Sequence, residues 1–228
     1  MHFKPMHSAK LCLPVLMIIL SVASCKDKPN KEEPAAVPEA EVIKSLDPAF
    51  AEIARFMDFK VSDSTLTDTL FNYKAVMGEE GVIASDAEQN LKFYKGIMKN
   101  GKASALPIFE DKGSDRSLLL FTGKGYLGPI WARILIDKGT GTILKVRFGH
   151  EMESEGYGNG IMSSAFGDQF SNQEILSEGN VFGLNQNGKA VIQGAYMVDG
   201  VSGATITSSA VVQMLNDGLK KYESYLTH

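Results

Sequence analysis

Three short apolar runs, Ser117–Thr122, Ile130–Ile136 and Gly141–Phe148, separated only by glycine-rich breaks, constrain this chain more than any other feature. Each is rich in β-branched or aromatic residues and of strand length. The break Asp137-Lys-Gly-Thr-Gly141 is the size of a hairpin turn, so neighbouring runs are expected to pair antiparallel. A later pair, Gly179–Leu184 and Lys189–Gln193, flanks Asn185-Gln-Asn-Gly188 and reads as a further antiparallel hairpin. No alternation of strand and helix suggests a parallel sheet.

Helical periodicity appears at both ends of this region. Val42, Ile43, Leu46, Phe50, Ile53, Ala54 and Met57 recur at helical spacing, with Pro48 read as an interruption. From Ser208 to Leu226, the residues Val211, Val212, Leu215, Leu219, Tyr222 and Leu226 share one face, with Thr207 or Ser208 expected as the cap. The expected fold is therefore α+β, an antiparallel sheet with flanking helices, formed as one domain over residues 41–228. No internal repeat or second linker divides it.

The first forty residues read as an address and a tether. Lys4 and Lys10 precede the apolar run Leu11–Leu20, and Val22-Ala-Ser-Cys25 follows, the charged, apolar, small-residue order of a signal peptide. The run is about half the roughly 20 residues that a membrane span needs. Small residues before Cys25 resemble a lipobox, which implies cleavage of residues 1–24, lipidation of Cys25 and a membrane anchor. An ordinary secretion signal or a short uncleaved anchor are the alternatives, and all three put the domain outside the cytoplasm, with the inner or outer membrane left open. Residues 25–40 are rich in charge and proline and read as a flexible linker; about fifteen of them extend on the order of 50 Å.

Composition excludes several chemistries. Both cysteines, Cys12 and Cys25, fall in this N-terminal region, so the folded body has no disulfide, thiolate metal site or cysteine nucleophile. A formal charge of -4 gives no footprint for nucleic acid. His150-Glu-Met-Glu153 has alternating positions and no remote partner, and reads as a solvated strand end rather than a metal site. Gly156-Tyr-Gly-Asn-Gly160 lacks the helix that a dinucleotide fingerprint requires. Asp58, Asp63 and Asp68 are solvated charges, and no Ser/His/Asp arrangement stands out.

Chemistry concentrates in Asp199-Gly-Val-Ser-Gly-Ala-Thr-Ile-Thr-Ser208, immediately before the last helix. Gly200 and Gly203 permit close backbone approach. Free amides and the dipole at a helix start favour a phosphate, and Ser202, Thr205, Thr207 and Ser208 offer hydroxyls that can bond or be esterified by one. A plain glycine turn with a capped helix fits these residues equally well, and none of them by itself selects a flavin.

Asp199-Gly-Val-Ser-Gly-Ala-Thr205 resembles the flavinylation motif of the FMN-binding domains found in the C-type component of the sodium-translocating NADH:quinone reductase and the G-type component of the Rnf complex. The resemblance implies FMN joined covalently through its phosphate to Thr205 by a flavin transferase that uses FAD, in a loop at the N-terminus of the terminal helix. Gly123-Lys-Gly-Tyr-Leu-Gly-Pro-Ile-Trp131, followed by a hairpin-like stretch, resembles the Gly-Tyr-x-Gly segment of the Rnf component. Glu153-Ser-Glu-Gly-Tyr-Gly158 stands where the family has Glu-Thr-Pro-Gly-Leu-Gly, with Ser154, Glu155 and Tyr157 as departures. The implied cofactor contacts are Asp199, Ser202, Gly203, Ala204, Thr207, Ser208, Glu153, Ser154, Gly156, Tyr157, Gly158, Tyr126, Leu127 and Trp131. For Tyr157, Tyr126 and Trp131, burial in the core is the competing expectation.

An electron carrier with no general acid, base or nucleophile of its own follows from the resemblance. Its redox partners are proteins or a quinone- or NADH-linked membrane complex. The lipobox in place of a membrane helix favours a free-standing shuttle over a built-in component of such a complex. The alternative from another class is a flavin-free lipoprotein whose Ser-Gly-Ala-Thr loop binds a phosphate-bearing ligand or a protein partner.

Overall fold

The computed structural model describes residues 46–78, 80–175, 182–185 and 194–227. The leader, Cys25, the linker and the run Lys189–Gln193 lie outside the described residues. Helix α1 (Pro48–Phe56) and the single turn α2 (Thr67–Leu70) precede strands β1 (Phe71–Met77) and β2 (Gly81–Ala84). Helix α3 (Ala87–Asn100) leads into β3 (Leu106–Asp111), β4 (Arg116–Lys124), β5 (Pro129–Asp137) and β6 (Thr142–His150). A 3-10 turn (Gly158–Met162), α4 (Ser164–Asp168), β7 (Phe182–Asn185), β8 (Tyr196–Asp199), α5 (Thr205–Lys221) and α6 (Glu223–Leu226) complete the chain.

Six strands form one antiparallel sheet in the order β2-β1-β3-β4-β5-β6. The three runs read from sequence are β4, β5 and β6. In the turn between β5 and β6, the Thr140 amide donates to the Asp137 carboxylate (3.1 Å) and Gly141 takes a left-handed φ of 67°. Strand alternation then divides the sheet into two cores. Leu119, Phe121, Ile130, Ala132 and Ile134 face α5 and the 158–170 segment, whereas Leu118, Leu120, Trp131 and Leu135 face α1 and α3.

Three expectations are corrected. Pro48 does not interrupt the first helix but starts it, where its missing N–H costs nothing, and Asp47 caps it by accepting from the Ala49 amide (2.9 Å). Strand β7 pairs parallel with β8, register Phe182↔Tyr196 to Asn185↔Asp199, while its expected hairpin partner lies outside the described residues. Side chains from elsewhere hold this small pair. Asn216 of α5 receives the Phe182 N–H (2.9 Å) and donates to its carbonyl (3.0 Å), while Gln169 does the same for Asp199 (2.7 and 3.2 Å). The terminal helix begins at Thr205, three residues before the expected Ser208, with Ala204 as its cap residue and no side-chain cap. Finally, the stretch from His150 to Glu153 is a solvated strand end only in part: Glu151 and Met152 are exposed, but Glu153 is buried and its amide donates to the His150 ring.

β1, β2, α3 and β3 carry weaker sequence patterns. Helix α3 is bounded by Asp86, which accepts from the Gln89 amide (2.8 Å), and by Gly101 in the left-handed conformation. Its buried Asn90 donates to the carbonyls of Lys74 (3.0 Å) and Ile108 (2.8 Å), tying the helix to β1 and β3. Among the described residues, no helix is long and apolar enough to cross a membrane.

Helix α5 lies on β4 because two glycines let it approach. A Cβ on Gly218 would sit 2.5 Å from Phe121 Cδ2, and one on Gly123 would sit 2.8 Å from Met214 Cβ. Phe121 has no room to yield, since it stacks on buried Tyr222 at 5.2 Å. Gly218→Ala is expected to destabilise the domain by about 1–3 kcal/mol, the range for overpacking, as read by urea denaturation.

Asp111 on β3 generates a pH prediction. Burial pushes its carboxyl up, but Ser114, the Gly113 amide and Arg116 together outweigh that and hold it below the ordinary value of 3.8. Its contribution is complete above that unfolded-chain value and disappears as pH falls through the lower native one. The stability difference between the wild type and Asp111→Ala should therefore be constant near neutrality and shrink below about pH 4, measured by denaturation at stepped pH.

Candidate functional site

A cleft of about 510 Å³ opens where three segments meet: the β4–β5 turn, the loop after β6 and the start of α5. Tyr126, Glu153, Ser154, Tyr157, Gly158, Gly203, Ala204, Thr205, Ile206 and Thr207 line it. This volume lies within the range of small-molecule and cofactor sites.

Glu153 joins the three segments. Only 6% of it is exposed, and its carboxylate accepts from the Leu127 amide (2.9 Å) and the Thr207 hydroxyl (2.6 Å). Its own amide donates to His150 Nδ1 (3.1 Å), so that nitrogen carries no proton in this arrangement. Two glycines make room for the carboxylate. A Cβ on Gly158 would lie 2.6 Å from Glu153 Oε2, and one on Gly125 would collide with Oε1.

The segment before α5 is fixed as tightly. Ser208 Oγ accepts from the Val201 amide (2.9 Å), and the Ala204 amide donates to the Val201 carbonyl (3.0 Å). Gly203 holds a φ of +72°, and a Cβ there would meet Tyr157 Cδ1 at 2.7 Å. The first helical bond runs from the Ser208 amide to the Ala204 carbonyl (2.9 Å), which leaves the amides of Thr205, Ile206 and Thr207 ahead of it at the positive end of a 17-residue helix.

The four hydroxyls grouped by sequence therefore separate. Those of Thr207 and Ser208 are buried and engaged with Glu153 and Val201. Ser202 is exposed but does not line the cleft, and Thr205 is exposed within it. The donor set fits a phosphate at Thr205, and the glycine-lined, partly apolar cleft beside it fits a flat organic group.

Other expected contacts fall elsewhere. Trp131 is in the core on the opposite sheet face, 8% exposed and packed against Gly149, because residue 131 alternates with Ile130. Asp199 accepts from Asn185 Nδ2 (2.8 Å) and braces the small sheet. Leu127 contributes its amide to Glu153 rather than a side chain to the cleft, and Gly156, at φ +76°, faces open space. Tyr126 and Tyr157 do line the cleft, 60% and 59% exposed, so neither is core. The sequence reading missed Ile206, which lines the cleft at 61% exposure, and the bond to His150. The signal for Ile206 is that it falls off the buried face of α5.

Residues 125–220 match the FMN-binding domain family. The chain is 25% identical to the C-type component of the Na(+)-translocating NADH-quinone reductase of Chlamydia caviae over 156 residues, 60% of this chain and 49% of that protein. It thus spans about half the length of the curated relatives it matches. Among solved structures, the corresponding reductase component from Parabacteroides distasonis superposes with a TM-score of 0.60 at 27% identity, over 79% of this chain and 93% of that one. The NqrC of Shewanella oneidensis shares the fold at a TM-score of 0.57 and 18% identity, over 80% and 99% of the two chains.

The Glu153 junction makes a testable demand. Thr207→Val keeps the shape but leaves a buried carboxylate short of a donor, which should cost about 1–3 kcal/mol. Hydrogen exchange at the Leu127 amide and across residues 153–158 should accelerate, whereas Thr205→Val should leave both stability and exchange close to wild type.

Proposed function

We propose that this chain is an extracytoplasmic electron-transfer flavoprotein holding FMN through a phosphoester on Thr205, a reading supported by the match of residues 125–220 to the FMN-binding domain family. One observation carries the attachment point: of the hydroxyls in the Ser202–Ser208 segment, only that of Thr205 is both exposed and in the cleft. Thr207 and Ser208 are withheld by Glu153 and Val201. The amides of Thr205, Ile206 and Thr207 hold the phosphate, and the helix dipole favours its charge.

Attachment forms a bond between Thr205 Oγ1 and the FMN phosphorus, breaks the pyrophosphate bond of FAD, releases AMP and leaves the hydroxyl proton to solvent. A flavin transferase supplies this step. When bound, FMN supplies one- and two-electron exchange. The chain's own part would be to hold it, with Tyr126, Tyr157 and Ile206 lining the cleft beside Thr205. A covalent link also keeps the cofactor in an open setting from which a free one would diffuse.

Residues 1–24 act as a lipoprotein signal peptide, Cys25 carries the lipid, and residues 25–40 tether the domain to the membrane. This part rests on the order of charged, apolar and small residues before Cys25. Electron donor and acceptor belong to a membrane oxidoreductase system, a reading supported by the names of the relatives, which are components of an NADH-quinone reductase.

Protein made together with a flavin transferase should gain the mass of one esterified FMN and keep yellow in-gel fluorescence after denaturation. Thr205→Ala should abolish both, and Ser202→Ala neither. A peptide spanning Thr205 that weighs only its amino acids would remove the covalent reading and favour a flavin-free, phosphate-binding lipoprotein.

A further inference from the structure

Building on the flavin reading above, we propose that Tyr157 is a tuning residue whose ring forms a wall of the isoalloxazine subsite, lowering the reduction potential and quenching the emission of the bound flavin. The domain's other aromatic side chains are mostly consumed by packing. Phe148, Phe166, Phe170 and Phe182 form a chain of ring pairs with centroids 5.1–5.5 Å apart, and Phe121 stacks on Tyr222. Tyr157 is instead largely exposed in the cleft, along with Tyr126 and Ile206.

Its position is held rather than free. The Tyr157 amide donates to the Ser154 carbonyl (3.3 Å), and its carbonyl accepts from the Gly160 amide (2.9 Å). The ring edge rests against the Gly203 backbone, where any Cβ would stand 2.7 Å from Cδ1. That contact is two residues before Thr205, so a group esterified on Thr205 starts beside the Tyr157 ring. A flat, apolar heterocycle reaching back into the cleft has this ring available for stacking.

Two consequences follow from the chemistry of a phenol ring. Its π face is electron-rich and disfavours the negative charge a flavin gains on reduction, so the potential falls relative to an aliphatic neighbour. A phenol in contact also donates an electron to the photoexcited ring and recovers it, so light is lost as heat and nothing is consumed. An aliphatic leucine side chain at this position would do neither.

The test uses the full chain matured with a flavin transferase, as wild type, Tyr157→Leu, Tyr157→Phe and Tyr126→Leu. Intact mass first establishes that each carries FMN. Tyr157→Leu is expected to raise flavin emission several-fold and move the midpoint potential upward in potentiometric titration. Tyr157→Phe should raise emission, because a phenyl ring is a poor donor, yet keep the potential near wild type, because the aromatic face remains. If Tyr157→Leu loses solubility, Tyr157→Phe alone still decides the emission. FMN-bearing Tyr157 variants with wild-type emission and potential would overturn the proposal, as would a rise confined to Tyr126→Leu. Wild-type protein without the FMN mass would instead sink the flavin reading on which the proposal rests.

Discussion

A carboxylate taken out of water must be met by protein donors, and at Glu153 those donors organise the molecule around its cleft. They come from Leu127, 26 positions away, and Thr207, 54 positions away. Sheet register sets the β4–β5 turn beside the end of β6, and Glu153 then ties both to the start of α5. The cost of leaving the charge unpaired holds a turn, a loop and a helix start in one arrangement. Gly125 and Gly158 are required for the same reason, since a side chain at either would occupy the space of the carboxylate.

The sheet supplies the support for that junction. Its two faces bury separate cores, and only the face under α5 carries the cleft at its edge. Close approach of α5 to β4 through Gly123 and Gly218 fixes the height of the helix over the sheet. That in turn fixes where Thr205 stands relative to the loop after β6. Packing far from the cleft and chemistry within it are therefore linked through one rigid helix.

Strand-length apolar runs and glycine breaks made β4, β5 and β6 readable, and helical spacing made α1 and α5 readable. The parallel pairing of β7 with β8 is not legible in the sequence, because it is held by Asn216 and Gln169, neither of them nearby along the chain. The start of α5 was misread because Thr207 and Ser208 look like caps; both hydroxyls are instead drawn into tertiary bonds, and Ala204 takes the cap position without one. Trp131 was assigned to the cleft by its neighbourhood in sequence, but strand alternation sends it through the sheet to the other core.

Sequence alone determined that the final helix begins in a glycine-flanked group of hydroxyls, a composition set by local backbone needs and the free amides of a helix start. It also determined that the body has no thiol chemistry, because both cysteines precede it. Which hydroxyl stays free, and which aromatic rings face the cleft, only the tertiary structure decided. Those outcomes depend on partners such as Glu153 and Val201, and on which side of a pleated strand a residue falls, and neither is a property of the residue itself.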